Sequence, residues 1–326
     1  MPSIPTTGVW LFPEAPAPKL VDLIGHAEHQ GLDEFWLGDE GPAREPFSVL
    51  AAAAVKTERI RLAVGVTNPF VRHPGLAATS MLTIHELSGG RAILGVGAGG
   101  QMSLGPFGLT AERPMGRIEE FISIVRAVSD RRETEHYRPP DTAIDAAVAG
   151  GDLPIYIGGR GPRINALASQ IADGVFVAGL PPFRYEEVIS WARSVRPVEV
   201  ALYPSVAFDE AAIEDHRPEM IWSLVDAPAR TREELGIGSD ALNGAAVALR
   251  AGDPVPARRI VTDDVLEQIM VVGDPITVGR RLADLVRAHQ PDTIGLALLQ
   301  RSLSDGIDDA ARAFVEMRRC LQEKLQ

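Results

Sequence analysis

The strongest constraint in this sequence is a regular alternation of short apolar runs with longer segments of helical period. Four such units precede residue 130, and their predicted strands cover 8–12, 34–38, 60–66 and 91–97. The predicted helices between them cover 46–56, 74–87 and 111–128. The apolar runs are short and rich in Val, Ile, Leu or aromatic residues, which is typical of parallel strands buried on both faces. The pattern therefore predicts an α/β fold built from β-α units.

The alternation continues in the second half of the chain. Predicted strands cover 153–157, 174–178, 198–203 and 293–299, and predicted helices cover 162–172, 184–195, 276–288 and 307–325. Two stretches depart from the pattern: we interpret 130–153 as a surface excursion, and 204–272 as a mostly helical elaboration of one connection. Eight strands favour a (β/α)8 barrel that forms a single domain over 1–326. An open doubly wound sheet would carry a glycine-rich fingerprint in its first turn, whereas 13–18 contains no glycine.

Composition and charge argue against nucleic acid, membranes and metal ions as partners. The chain has 326 residues, is 45% hydrophobic, and carries 44 acidic against 32 basic residues, for a net charge of −12. This charge disfavours nucleic acid and anionic membrane surfaces. The longest apolar runs, 49–55 and 294–299, are far too short to span a membrane, and no secretory signal is recognised, so a cytoplasmic location is expected. The lone Cys320 can form neither an internal disulfide nor a zinc cluster, and no metal site is predicted.

Candidate site residues follow the predicted strands, because the active site of a parallel barrel forms at the C-terminal ends of its strands. They comprise two acids, two polar residues and several glycine-rich turns: Asp39, Glu40, Thr67, Asn68, Gly97, Gly99, Gly100, Gly158, Gly159, Arg160 and Gly179. Such a set around one rim suits a large cofactor that bears phosphate.

The turn after the fifth strand is the best candidate for binding that phosphate. Glycines at 158, 159 and 161 would let backbone N–H groups approach an anion, the helix from Pro162 presents its N-terminus, and Arg160 and Arg163 add positive charge. A tight turn that needs glycine only for its conformation is the alternative. For 97–100 both interpretations stay open. Asn68 is either a ligand of a flavin-like ring or a turn-forming residue, and His73 is expected to cap the following helix.

Three sequence blocks, in this order, resemble those of the luciferase-like flavin and deazaflavin oxidoreductases. The first combines residues 68–74 (NPFVRHP), 87–91 (LSGGR) and 94–100 (LGVGAGG), the second combines 154–161 (PIYIGGRG) with 172–175 (ADGV), and the third is 271–275 (VVGDP). The chain looks most similar to methylenetetrahydromethanopterin reductases, a branch that depends on the deazaflavin coenzyme F420.

The resemblance implies where the cofactor and the acids lie. F420 is expected across the barrel mouth, with its phosphate near Gly158 and Gly159 and its deazaflavin over the end of strand three. There the family often has a non-proline cis peptide, which would fall at Gly65-Val66. It also implies that Asp39 contacts the cofactor and that Glu40 handles a proton. In several relatives, including sugar-phosphate dehydrogenases, a histidine occupies the position of Glu40, and Trp10 stands where methanopterin reductases have a glutamate.

The leading prediction is hydride transfer between F420 and a small organic substrate by a homodimeric enzyme. An FMN-dependent monooxygenase with the same fold is the alternative. A cofactor-binding protein that has lost catalysis is a third possibility from another functional class.

Overall fold

A computed structural model describes residues 4–139 and 152–323. Its centre is a closed barrel of eight parallel strands, in which each strand pairs with the next and the first strand pairs with the last to close the ring. The barrel strands are β1 (Thr6–Leu11), β2 (Glu34–Leu37), β3 (Arg61–Thr67), β4 (Ala92–Gly97), β5 (Ile155–Gly158), β6 (Gly174–Ala178), β7 (Glu199–Tyr203) and β10 (Thr293–Leu298). The predicted (β/α)8 barrel is confirmed, and all eight predicted strands lie within a few residues of the observed ones.

Helices surround this barrel. They are α1 (Ala17–His29), α2 (Pro46–Ala54), α3 (Pro74–Leu87), α4 (Gln101–Leu104), α5 (Pro114–Ser129), α6 (Pro162–Ile171), α7 (Tyr185–Ala192), α14 (Pro275–His289) and α15 (Leu303–Glu323). Side chains that accept backbone N–H groups begin several of them: the Glu45 carboxylate caps α2, and Asp274 caps α14. The predicted cap on α3 is confirmed, because His73 Nδ1 accepts the N–H of Gly75.

The elaboration after β7 is mostly helical, as predicted. It contains α8 (Glu210–His216), α9 (Ile221–Val225), α10 (Ala229–Glu234), α11 (Ser239–Arg250), α12 (Val255–Ile260) and α13 (Asp263–Ile269). We call residues 208–269 the inserted segment. Its apolar side chains form a hydrophobic cluster of their own that includes Ile221, Leu242 and Leu266.

The prediction of this region missed two short strands. β8 (Ser205–Ala207) and β9 (Met270–Val272) flank the inserted segment and pair with each other in parallel, and β8 also pairs with β10. A three-residue strand shows too few alternations for a periodicity to be recognised. The other predicted excursion, 130–153, is described only at its ends: Thr134 forms an isolated bridge with Tyr137, and residues 140–151 lie outside the described residues.

Aromatic side chains fill the barrel interior. Trp36 stacks on Phe176 with ring centroids 4.2 Å apart, and the Tyr156 and Tyr203 rings meet Trp36 edge-on. Below them, the buried Glu34 carboxylate accepts hydrogen bonds from Trp36 Nε1 and the Tyr203 hydroxyl. Arg61 Nη2 pairs with the same carboxylate at 2.6 Å, so this buried charge is neutralised at the N-terminal end of the barrel.

None of the helices in the described parts of the chain is both long enough and apolar enough to cross a membrane.

Candidate active site

A β-bulge at the end of β3 shapes the mouth of the barrel. The pairing of β3 with β4 shifts register between Val64 and Thr67, and the Gly65-Val66 peptide bond is cis, which confirms that expectation. The indole N–H of Trp10 donates a hydrogen bond of 2.5 Å to the Gly65 carbonyl. The bulge is therefore held from β1 across the barrel mouth.

The bulge presents an apolar surface, which we call the floor. Trp10, Val66 and Ala178 are only half-buried and cover the aromatic cluster of the barrel interior. The Val66 side chain occupies space left by glycines on the next two strands: a Cβ on Gly97 would lie 2.7 Å from Val66 Cγ2, and one on Gly158 would lie 2.8 Å from Val66 Cγ1. The floor is therefore an apolar surface suited to a planar ring system.

The turn after β5 leads directly into α6. The buried Asn165 side chain donates to the carbonyls of Gly159 and Gly161, at 3.2 and 2.8 Å, so these carbonyl groups are held by the protein. Gly161 is the N-cap of α6 and provides no side chain to its first N–H groups, and Arg163 is exposed in the first turn. The N-terminus of α6 is thus suited to an anion.

The glycines of this turn also have packing roles. A Cβ on Gly159 would lie 2.2 Å from Ile164 Cγ2, and the corresponding atom on Gly158 would meet Val66. Bulky residues at these two positions would therefore disturb the floor and the start of α6, rather than only obstruct a phosphate. Binding of a cofactor by the two glycines stays a prediction.

Asp39 and Glu40 follow β2 and have different surroundings. Asp39 Oδ2 lies 3.4 Å from Arg72 Nε, and Arg72 also pairs with Glu45 at 2.8 Å. The Arg72 guanidinium lies over the ring of Phe47, 3.9 Å from its centroid. Asp39 is therefore part of an ion-pair network with the loop after β3.

Glu40 is close to several polar and charged groups of the rim. It is half-buried, and Ser103 Oγ donates a hydrogen bond to its Oε2 atom. Burial raises the pKa of Glu40 to about 7; the Ser103 hydrogen bond and Arg160 oppose this rise, whereas the charges of Asp39 and Asp226 add to it. At neutral pH a carboxyl group with this pKa exists in both protonation states, as a proton donor or acceptor requires.

The Arg160 side chain is fixed by hydrogen bonds to backbone carbonyls. Its Nε donates to the Ala178 carbonyl at 3.2 Å, and its Nη1 donates to the Ser223 carbonyl of the inserted segment at 3.0 Å. Burial lowers the pKa of Arg160, while the charges of Asp226 and Glu40 oppose that shift. Its predicted role as a phosphate ligand stays a prediction.

The other predicted residues occupy the rim in different ways. Thr67 and Asn68 are buried, and Asn68 Oδ1 accepts the N–H groups of Phe70 and Val71, as in the turn-forming alternative. Gly99 and Gly179 have positive φ angles of 76° and 62°, which favour glycine. Gly100 lies beside the inserted segment, because a Cβ there would be 2.5 Å from Asp226 Oδ2. Cofactor contacts of these five residues stay predictions.

Three residues of this site were not predicted from the sequence: Arg72, Ser103 and Asp226. The first two follow strands β3 and β4, so their position after a strand was a usable signal. Asp226 ends a short helix far along the chain, and nothing in its neighbourhood marks it as part of the rim.

Two cavities lie elsewhere on the barrel, the second of them beside Arg72. One of about 550 Å³ opens at the N-terminal end of the barrel, where Asp33, Arg61 and Arg318 are among its lining residues. Two of its arginines are in ion pairs, since Arg61 binds Glu34 and Arg318 lies 3.7 Å from Asp33. The other, of about 520 Å³, is lined by 69–74 and by parts of α5. Within 4–139 and 152–323, no group of three or more His, Cys, Asp or Glu side chains is arranged to hold a metal ion.

Comparisons with known proteins agree with this geometry. The 5,10-methylenetetrahydromethanopterin reductase of Archaeoglobus fulgidus is 30% identical over 299 residues, which cover 86% of this chain and 90% of that protein. An F420-dependent glucose-6-phosphate dehydrogenase of Nakamurella multipartita is 28% identical over 81% of this chain and 84% of that protein. The solved structure of the coenzyme F420-dependent tetrahydromethanopterin reductase of Methanopyrus kandleri superposes with a TM-score of 0.80 at 27% identity, covering 94% of this chain and 97% of that one.

The family model described as luciferase-like monooxygenase matches residues 4–289. This match covers the barrel except β10 and α15, and it includes the bulge at Gly65-Val66, the turn after β5 and the inserted segment. The chain therefore belongs to the luciferase-like monooxygenase family.

Proposed function

We propose that the chain is an F420-dependent oxidoreductase that transfers a hydride between the deazaflavin and a small organic substrate. The observation that carries the proposal is the half-buried Glu40, whose pKa is about 7, at the same barrel mouth as an apolar floor. The similarity to relatives named as F420-dependent supports it over the FMN alternative.

The residues at the mouth fit such a cofactor. The floor formed by Trp10, Val66 and Ala178 would hold the ring system, and the N-terminus of α6 with Arg163 would hold the phosphate. When bound, F420 supplies a two-electron hydride carrier. The protein contributes orientation, exclusion of water by the floor, and control of the accompanying proton.

Glu40 is the proposed source of that proton. When one atom of a C=O, C=N or activated C=C bond receives a hydride, the other atom of that bond gains a proton, and protonated Glu40 can donate it from its carboxyl oxygen. The resulting carboxylate accepts the Ser103 hydrogen bond and faces the positive charge of Arg160. It recovers its proton from solvent, since the residue is only half-buried. Asp39, paired with Arg72, is proposed to contact the cofactor.

A binding titration tests the cofactor assignment. The purified chain is titrated with F420 and, separately, with FMN, and the absorption and fluorescence of each cofactor are followed. Saturable binding of F420 at much lower concentration than FMN supports the proposal, whereas a preference for FMN supports the monooxygenase alternative. Tight F420 binding with no turnover across a panel of alcohols, imines and activated alkenes would indicate the non-catalytic alternative.

A homodimer that pairs the outer faces of α2 and α3 is also proposed. α2 contains no charged residue, and α3 carries His85 and Glu86 only in its last turn. Val55, Leu76 and Leu87 on or next to these helices are 67%, 64% and 46% exposed. Two copies of an uncharged face can pack without burying unpaired charge. Light scattering should give a dimer mass for the wild type and a monomer for Leu76→Glu, and a monomeric wild type would refute the proposal.

A further inference from the structure

The inserted segment reaches the proton-handling residue through Arg160. The Arg160 guanidinium crosses from the end of β5 to the end of β6, where Gly179 leaves room for it: a Cβ on Gly179 would lie 2.6 Å from Arg160 Nη2. From there it binds the Ser223 carbonyl in the third residue of α9. A single side chain thus connects two barrel strands with the inserted segment.

Asp226 directly follows α9 and faces the same place. Its Oδ2 atom occupies the space beside the bare Cα of Gly100, and its charge interacts with both Arg160 and Glu40. The charged groups around Glu40 are Asp39 after β2, Arg160 after β5 and Asp226 after α9, and Ser103 of α4 adds a hydroxyl. Glu40 is therefore surrounded from four separate parts of the chain, one of which is the inserted segment.

In this arrangement Arg160 already interacts with acceptor groups of the protein, so it is poorly placed to bind a ligand phosphate. Two of its donor atoms are used by backbone carbonyls, and its positive charge faces two carboxylates of its own chain. A phosphate placed against Arg160 would come close to both carboxylates and be repelled by them. Arg163, by contrast, is exposed in the first turn of α6.

We propose that Arg160 and Asp226 are positioning residues that make the inserted segment part of the proton-donating site, and that Arg160 is not a ligand of the cofactor phosphate. Arg160 fixes the end of α9, and this places the Asp226 carboxylate within electrostatic reach of Glu40. The two residues then act on the Glu40 proton in opposite directions. The inference rests on the proposed role of Glu40, and its test therefore includes a measurement that needs no cofactor.

The cofactor-independent measurement is the titration of Glu40 itself. Infrared difference spectra between the wild type and Glu40→Gln, recorded from pH 5 to pH 9, isolate the carbonyl stretch of the protonated Glu40 carboxyl. In Asp226→Asn a negative charge is lost, so the titration midpoint should move to lower pH, by about half a unit for a screened interaction. In Arg160→Gln a positive charge is lost, so the midpoint should move to higher pH by a similar amount.

Shifts of the Glu40 midpoint in opposite directions distinguish an electrostatic role of the two residues from a loss of packing. Looser packing around Glu40 would move the midpoint in the same direction in both variants. Arg160→Lys keeps the charge and should retain a midpoint near that of the wild type. Arg259→Gln, at an exposed arginine of α12 in the same inserted segment, is the matched control and should leave the midpoint unchanged. Unmoved midpoints in both site variants, or shifts with the same sign, would overturn the proposal.

The affinity of the variants for F420 is the second measurement. Arg160→Gln should bind F420 within about twofold of the wild type, whereas Arg163→Gln should bind it about tenfold more weakly, which corresponds to loss of one phosphate contact. A tenfold loss in Arg160→Gln without a shift of the Glu40 midpoint would make Arg160 a phosphate ligand and refute the proposal. If the wild type does not bind F420, the proposed function fails, and the infrared titration still decides the roles of Arg160 and Asp226.

Discussion

Ser103 donates a hydrogen bond to the carboxylate of Glu40, although the two residues are 63 positions apart in the sequence. Glu40 follows β2, and Ser103 lies in the short helix α4 that follows β4. Because parallel strands of a barrel end at the same rim, the residues that follow them meet there. The hydroxyl stabilises the charged form of Glu40 and so limits the rise of its pKa.

Removal of this hydroxyl should raise the pKa of Glu40 further. In Ser103→Ala the carboxylate loses its hydrogen bond, so the protonated form persists to higher pH. When F420 in its reduced form donates the hydride, kcat/KM should fall with rising pH near pH 7 in the wild type and at higher pH in Ser103→Ala. The pH profile of initial rates measures this. Ser190→Ala, at an exposed serine of α7, is the control and should keep the wild-type profile.

The raised pKa of Glu40 also predicts how stability depends on pH. The pKa is about 7 in the folded chain against the ordinary value of 4.5, so the folded state binds more protons than the unfolded state between these values. The contribution of Glu40 to the free energy of unfolding must therefore decrease as pH rises from about 4.5 to about 7. Glu40→Gln removes this contribution.

Urea denaturation at several pH values between 4.5 and 8 provides the measurement. The difference in free energy of unfolding between Glu40→Gln and the wild type should grow in favour of the variant as pH rises. Glu119→Gln, at an exposed glutamate of α5, should show a difference that is independent of pH. A pH-independent difference for Glu40→Gln as well would mean that Glu40 titrates as an ordinary exposed glutamate.

Much of this architecture could be predicted from the sequence because the barrel repeats one local pattern. Strands buried on both faces form apolar runs, and residues such as Asp39, Glu40 and Gly158 could be placed at the rim because they directly follow such runs. The helix cap His73 was predicted from its position before proline, and the turn formed by Asn68 was one of the two alternatives for that residue.

The remaining features depend on contacts that local sequence does not encode. Asp226 reaches the rim only through the packing of the inserted segment, and Arg160 binds Ala178 and Ser223 rather than facing freely outward. The sequence marks Gly158 as a candidate for phosphate binding and leaves Gly97 open, yet both glycines also leave space for the Val66 side chain. A sequence shows where a side chain is missing, but the structure is needed to show which atoms occupy its place.

The packing of Val66 against Gly158 predicts a compensating pair of substitutions. In Gly158→Ala the new Cβ would lie 2.8 Å from Val66 Cγ1 and 3.1 Å from Cγ2, so the floor must shift and F420 should bind about tenfold more weakly. In Val66→Ala those two methyl groups are absent, and the Val66 Cβ is 3.5 Å away, an ordinary contact. The double variant should therefore bind F420 better than the product of the single effects, with a coupling of about 1 kcal/mol. Additive effects on the dissociation constant would show that Val66 does not transmit the change.

Arg91 belongs to the family signature, and we expect its substitution to lower the stability of the fold without changing cofactor binding or proton transfer. It lies at the N-terminal end of β4, opposite the active site, and its guanidinium donates to the carbonyls of Ala54, Thr57, Ile60 and Ser88 at 3.0, 2.7, 2.6 and 2.7 Å. These bonds join the ends of α2 and α3 to the starts of β3 and β4. A lysine keeps the charge but cannot provide donors in this forked geometry, so several carbonyls would lose their partner. Arg91→Lys should therefore lower the free energy of unfolding by about 2 to 4 kcal/mol, measured by urea denaturation.

At temperatures where the Arg91→Lys variant stays folded, its F420 dissociation constant and the pH profile of its kcat/KM should match those of the wild type. Arg59→Lys, at an exposed arginine near the same end of the barrel, should change stability by less than about 0.5 kcal/mol. An unchanged stability in Arg91→Lys, or a shifted pH profile with stability preserved, would contradict a purely structural role for this signature arginine.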